Sequence, residues 1–163
     1  MNIMQIKKDI NFKLVNTLSE ALIVRRLRNE CRTSLTNYTR HISILRQIYW
    51  YFSYYRRAVH TNVYRLFIAR NNEDVPIGYG ALHTQGKQLS VTECVAPEYR
   101  RQGYGSAILK NLISIAKKEK LPLVAEIWAT NKNSIALHTR CGFVLKTTKI
   151  KSGASLCVYR KDK

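Results

Sequence analysis

Between Leu89 and Ala116 the chain passes from an alternating strand, through a glycine-bearing turn, straight into an amphipathic helix, and this junction constrains the fold more than any other stretch. Leu89-Ser90-Val91-Thr92-Glu93-Cys94-Val95 has the period of a half-buried strand. Ala96 to Ser106 contains Pro97, Gly103 and Gly105, after which Ile108, Leu109, Leu112, Ile113 and Ala116 recur at helical spacing. The first amides of such a helix have no intrahelical partners and point outward. With the helix dipole behind them they form a pocket for an anion, and a pyrophosphate suits it. Gly103 and Gly105 let the backbone approach the phosphates, and Arg100 and Arg101 add positive charge at the rim.

Around this junction the chain reads as helices first and strands later. Phe12 to Val15 can be a short strand, and Ser19-Glu20 opens a helical run. His41 to Arg57 is a second helical stretch, with Ile44, Leu45, Ile48, Phe52 and Tyr55 expected on its apolar stripe. Its dense run of aromatic and arginine residues, Tyr49 to Arg57, reads either as a base-stacking platform or as rings packed on a sheet. Strands are expected at 63–69, 76–83 and 89–95, with a turn at Gln85-Gly86-Lys87. Leu123 to Trp128 is a further strand, Asn133 to Arg140 a short helix ended by Cys141-Gly142, and two strands close the chain at 143–150 and 156–160. Gly78-Tyr79-Gly80 does not begin a dinucleotide fingerprint, because no third glycine and no helix follow.

The 163 residues fit one domain, and 45% apolar with 23% charged residues is ordinary globular usage. No apolar stretch is long enough to span a membrane. Met1 to Asp9 lacks the apolar core and cleavage site of a signal peptide, so a soluble, cytoplasmic chain is expected. Four dispersed cysteines, Cys31, Cys94, Cys141 and Cys157, then read as buried or free thiols. The net charge of +18 is unusual and diffuse: eleven Lys and Arg against three Asp and Glu over 1–60, nine against five over 61–120, eight against two over 121–163. Such a field favours anionic partners, nucleic acid or a polyanionic cofactor among them, although composition carries no geometry.

Arg100-x-x-Gly103-x-Gly105, preceded by Val95-x-Pro97, resembles the acetyl-CoA signature Gln/Arg-x-x-Gly-x-Gly/Ala of the GNAT superfamily of acetyltransferases. The segment from Glu126 through Asn131 and His138 to Gly142-Phe143 is similar to the family's strand–Asn–helix–Gly-Phe segment, and the likeness covers roughly 88–145. The resemblance implies an α+β fold: one mixed, mostly antiparallel sheet of about seven strands, splayed between strands 4 and 5 and flanked by about four helices. It implies acetyl-CoA in the splay, no metal, and an amine acceptor. The backbone of Cys94 and Val95 would meet the pantetheine arm. The amides of Gln102, Gly103, Tyr104, Gly105 and Ser106 would take the pyrophosphate, with Arg100 and Arg101 alongside. Asn131 and Ser134 would contact the cofactor, or simply cap the helix they open.

In this family the amine attacks the thioester directly, so no protein nucleophile is required. An ammonium must lose its proton and the leaving thiolate is better released with one, which makes proton carriers the candidate catalytic residues. Glu126, Glu93 and His138 compete for that work. Glu126 lies just before Asn131, where ribosomal-protein N-terminal acetyltransferases of this family carry a catalytic glutamate, and Glu93 lies on the facing strand. His138 stands where many members have a tyrosine, and it can act as imidazolium or as neutral base. Either glutamate could instead be a member of a structural ion pair. A small molecule or amino sugar is the favoured acceptor, the alternative being a module of this fold that binds or modifies nucleic acid. Monomer and homodimer both stay open.

Overall fold

The computed structural model describes residues 9–162. The segment read above for a leader, Met1 to Lys8, lies outside them. Seven strands form one sheet in the order β1-β2-β3-β4-β5-β7-β6. β1 (Asn11–Leu14), β2 (Tyr64–Arg70), β3 (Pro76–Gln85) and β4 (Gln88–Val95) make an antiparallel half. β5 (Leu123–Trp128), β6 (Val144–Lys151) and β7 (Ala154–Lys161) make the other. The halves join through a parallel contact of β4 with β5, confined to Leu89 opposite Leu123 and Ser90 opposite Val124. Beyond it β4 runs on to Val95 and β5 to Trp128 without pairing with each other, so the sheet forks.

Each face of the sheet carries its own apolar cluster. On one face α1 (Leu18–Cys31) packs with Tyr79, Ala81, Cys94 and Ala96. Its start is a full capping box, in which Thr17 accepts from the Glu20 amide and Glu20 reaches back to the Thr17 amide. On the other face α4 (Tyr104–Glu119) buries Ile108, Leu109, Leu112 and Ala116 against Leu89, Val91, Leu123, Ala125 and Ile127. Gly80 of β3 makes room for it: a Cβ there would stand 2.9 Å from Leu112 Cδ1. That close approach is the structural use of the 78–80 glycines. α5 (Lys132–Arg140) lies beyond β5 and ends at Gly142, whose φ of 85° lets the chain reverse into β6.

The second helical stretch departs from its expected face. α2 (Ile44–Trp50) passes through a π-helical turn at Tyr51–Tyr55 into α3 (Arg56–His60). The buried positions are Gln47, Tyr51, Tyr55 and Ala58, whereas Ile44, Leu45 and Phe52 are exposed, Leu45 by 80%. The wider turn shifts the helical phase, and the tyrosines set which face turns inward because their hydroxyls need partners. Tyr51 donates to the Asn16 carbonyl at 2.7 Å and Tyr55 to the Val15 carbonyl at 2.8 Å. Trp50 stacks on Tyr55 at 4.9 Å. For these three rings the observed role is packing against the sheet.

The cysteines also differ from expectation. Cys31, at the end of α1, and Cys94, on β4, form a disulfide with Cα atoms 6.7 Å apart. Only Cys141 and Cys157 are free. The two partners are 63 residues apart in sequence, and only the packing of α1 across the sheet brings them together. No helix among the described residues is long and apolar enough to cross a membrane.

Candidate active site

The fork opens a cleft of about 590 Å³. It is lined by Glu93, Cys94 and Val95 from β4, Arg100, Arg101, Gly103, Gly105 and Ser106 from the turn and the start of α4, Glu126 from β5, and Asn131, Ser134 and His138 from the start and body of α5. These are twelve of the fourteen positions expected from sequence. Gln102 and Tyr104 do not line it: Gln102 donates its side-chain amide to the Glu98 carbonyl, and the Tyr104 ring is buried near Tyr99.

Gly103 is the N-cap of α4 with φ 89°, a left-handed conformation that a Cβ disfavours, and no side chain caps the helix there. The helical ladder begins with the Ala107 amide on the Gly103 carbonyl, so the amides of Gly105 and Ser106 precede it and face outward. Gly105 sits tightly between neighbours, where a Cβ would come within 3.3 Å of Leu137 and 3.7 Å of Val95. The uncapped helix start, its tight glycine and the adjacent Arg100 and Arg101 therefore fit a diphosphate. Arg100 also reaches back, its Nε donating to the Val95 carbonyl at 3.1 Å.

That contact orients the edge of β4. The Ala96 amide donates to Ile77 on β3, and backbone groups alternate sides along a strand. Val95 therefore turns its amide and carbonyl toward the open edge of the fork, where an extended ligand could pair with them.

The two glutamates lie on different faces. Leu89 and Val91 point to the α4 cluster, so Glu93 does too, while Leu123, Ala125 and Ile127 share that face and leave Glu126 on the α1 side. Glu126 binds Lys149 at 2.5 Å through Oε1, and its backbone carbonyl accepts from the Thr36 hydroxyl at 3.4 Å. Glu93, with its side chain 12% exposed, meets His138 instead: Nε2 lies 3.5 Å from Glu93 Oε2. Burial raises the Glu93 carboxyl above its ordinary value, and the neighbouring imidazole partly offsets this.

His138 has its tautomer set by its own helix. Nδ1 lies 2.9 Å from the Ser134 carbonyl, which only accepts, so Nδ1 carries hydrogen. The ring is edge-on to Phe143 at 4.9 Å, and Nε2 is shielded from solvent without a hydrogen bond. Nε2 and the Glu93 carboxyl therefore face each other across 3.5 Å. Asn131 caps α5 by accepting from the Ser134 amide at 3.1 Å, the capping alternative named for it above.

Sequence reasoning missed part of the cleft. Arg28 and Cys31 of α1 and Leu35, Thr36 and Asn37 after it line the α1 side. This segment is pinned over β5 and the β6–β7 hairpin, since Trp128 Nε1 donates to the Leu35 carbonyl at 3.0 Å and Lys151 to the Thr36 carbonyl at 3.0 Å. No local pattern marks these residues; Thr36 and Asn37 stand out only as polar residues that follow a helix.

The whole described chain resembles solved structures of acetyltransferases in fold. An N-acetyltransferase from Staphylococcus aureus Mu50 superposes with TM-score 0.77 at 20% identity, over 94% of this chain and 98% of that one. The protein yncA from Salmonella typhimurium, solved with its cofactor acetyl-CoA, gives 0.76 at 19% identity, over 94% of both. The spermidine N-acetyltransferase of Vibrio cholerae, in complex with CoA and spermine, gives 0.76 at 16% identity, over 93% of this chain and 92% of that one. No curated protein matches the chain in sequence. A family model for the Acetyltransferase (GNAT) family matches residues 23–143, a span that holds the fork, the glycine turn and the Glu93–His138 pair, and so the chain belongs to the acetyltransferase (GNAT) family.

Proposed function

We propose that this chain transfers an acetyl group from acetyl-CoA to a small primary amine by direct attack within a ternary complex. The observation that carries the reading is the fork itself, which has the glycine turn on one face of the sheet and Glu126 on the other. Bound acetyl-CoA supplies an activated acyl carbon, so the protein has only to bind, orient and move protons. The amides of Gly105 and Ser106, with Arg100 and Arg101, hold the diphosphate. The backbone edge at Val95 orients the pantetheine arm, and its amide is the donor for an acyl oxygen as it gains charge.

Glu126 and the Glu93–His138 pair divide the proton chemistry by face. Glu126 has Oε1 on Lys149 and leaves Oε2 for an incoming ammonium from the α1 side. Glu93 and His138 store a proton on the α4–α5 side, where a thiolate would leave. Asn131 and Ser134 contribute by fixing the start of the helix that carries His138. A cleft of about 590 Å³, shared with the pantetheine arm, suits a small amine or an amino sugar better than a folded protein.

The test has two readouts on the intact chain. Acetyl-CoA should raise the melting temperature, as any ligand selective for the native state does. A panel of primary amines should then release free CoA with at least one member. Absence of both the thermal shift and the CoA release would refute the proposal.

A further inference from the structure

Arg28 stands at the α1 side of the fork without a counter-charge. It is half-buried in the last turn of α1, with one guanidinium nitrogen donating to the Tyr79 hydroxyl at 3.3 Å and the other to the Asn37 carbonyl at 2.6 Å and the Tyr38 carbonyl at 3.4 Å. All three acceptors are neutral, and no ion pair among the described residues includes Arg28. A guanidinium drawn partly out of water toward neutral partners is stabilised by any anion that completes its fork of donors.

Two contacts link the guanidinium to the strand that carries Glu126. The Thr36–Asn37 segment spans from Arg28 to the backbone of Glu126, since the Asn37 carbonyl accepts from Arg28 while the Thr36 hydroxyl donates to the Glu126 backbone carbonyl at 3.4 Å. One face of the sheet thus offers a carboxylate for an ammonium and a guanidinium for an anion, a short polar segment apart. Arg28 and the glycine turn line one cleft, with Arg100 Nη2 3.6 Å from Cys31 Sγ, so Arg28 is told apart from the diphosphate cradle by its effect on acceptor choice. Tyr79 is fully buried, and its bond to Arg28 fixes where the guanidinium stands.

We propose that the acceptor is a zwitterion, a small primary amine bearing a carboxylate or phosphoryl group, and that Arg28 selects it by binding that group. This rests on the acetyl-transfer reading of the same cleft. Arg28 touches neither the thioester nor the reacting nitrogen in this scheme; it sets specificity.

The experiment compares CoA release with an α-amino acid, the matching aminophosphonate and the neutral methyl ester of the amino acid. At least one anionic acceptor should exceed the ester in kcat/KM by about tenfold or more, the scale of one charge-assisted contact. The better of the two identifies the anion. In Arg28→Gln that ratio should fall to near one, chiefly through a higher KM, and Arg28→Lys should restore part of it. A ratio near one in the wild-type chain, or one that survives Arg28→Gln, overturns the proposal, and the wild-type ratio decides alone if the variants fail to fold. Equal use of ester and acid with an intact acetyl-CoA thermal shift removes only the zwitterion. No CoA release with any amine and no thermal shift removes acetyl transfer as well.

Discussion

Glu93 and Glu126 stand on adjacent strands but on opposite faces of the sheet, one against His138 and the other against Lys149. Their surroundings differ as much as their directions. Glu93 is shut in beside an imidazole whose Nδ1 is already engaged, while the Glu126 side chain is 25% exposed and holds a lysine. Two groups of one residue type therefore serve two sides of one fork, and exchanging their roles would require turning a strand over.

Removing the Glu93 charge should stabilise the chain above acid pH. Its carboxyl is raised above 4.5 by burial, so the native state binds the proton more tightly than the unfolded chain does. Stability then declines as pH climbs from 4.5 through the raised value, and the loss persists above it. Glu93→Gln should melt higher than wild type at pH 8, by a few degrees, and show no advantage near pH 4. Turnover should fall by roughly a hundredfold in the same variant. Scanning calorimetry at the two pH values checks the first claim, and an equal difference at both would contradict it.

His138→Phe should lower kcat by about a hundredfold while acetyl-CoA affinity changes little, because the ring stands behind Glu93 and not in the diphosphate cradle. The substituted ring is near in shape and packs against Phe143, so folding should survive. Titration of acetyl-CoA by calorimetry, together with single-turnover rates from pH 6 to 9, separates the two effects. Wild-type rates across that range in the variant would exclude the imidazole from proton transfer.

Much of this architecture can be read from period and punctuation. β5 occupies Leu123 to Trp128 as expected because a short apolar run starts directly after Pro122, although only its burial, not its sequence, alternates. The buried face of α4 follows from Ile108, Leu109, Leu112 and Ala116, with Ile113 at its margin. The α2 face was not legible, since a π turn changes the angle per residue and tyrosine hydroxyls outweigh the leucine and isoleucine of the first turn. Period two places Glu93 with Val95, but the relation of Glu93 to Glu126 depends on the register between two strands distant in sequence. Arg28, Lys149 and the Cys31–Cys94 pair are non-local for the same reason, and no spacing rule reaches them.

Gly103→Val should abolish the thermal protection given by acetyl-CoA. The position holds φ 89°, where a β-branched residue is strained by about 1–2 kcal/mol, and its side chain would project at the uncapped start of α4. Strain lowers the melting temperature of the free chain, whereas loss of the cradle removes the further rise on adding ligand. The quantity to measure is therefore the ligand-induced shift, compared between Gly103→Val and Gly103→Ala. A full shift in Gly103→Val would mean that the diphosphate binds elsewhere.

The Cys31–Cys94 bond should contribute to stability through the unfolded chain. It closes a loop of 63 residues between α1 and the strand that ends at Val95, and a loop of that size restricts the unfolded ensemble by about 4 kcal/mol. Denatured protein purified without reductant should react with a thiol label at two positions, Cys141 and Cys157, and at all four cysteines after reduction. The reduced chain, or a Cys31→Ala/Cys94→Ala variant, should melt several degrees lower, at roughly 2–4 °C per kcal/mol for a chain of this size. The position of the bridge adds a second expectation. Cys94 neighbours Val95, whose backbone forms the ligand edge of the fork, so reduction should also weaken acetyl-CoA binding beyond its effect on the melting temperature. Four labelled cysteines without reductant would show the two thiols lying free in the cleft wall, and α1 would then be held to β4 by packing alone.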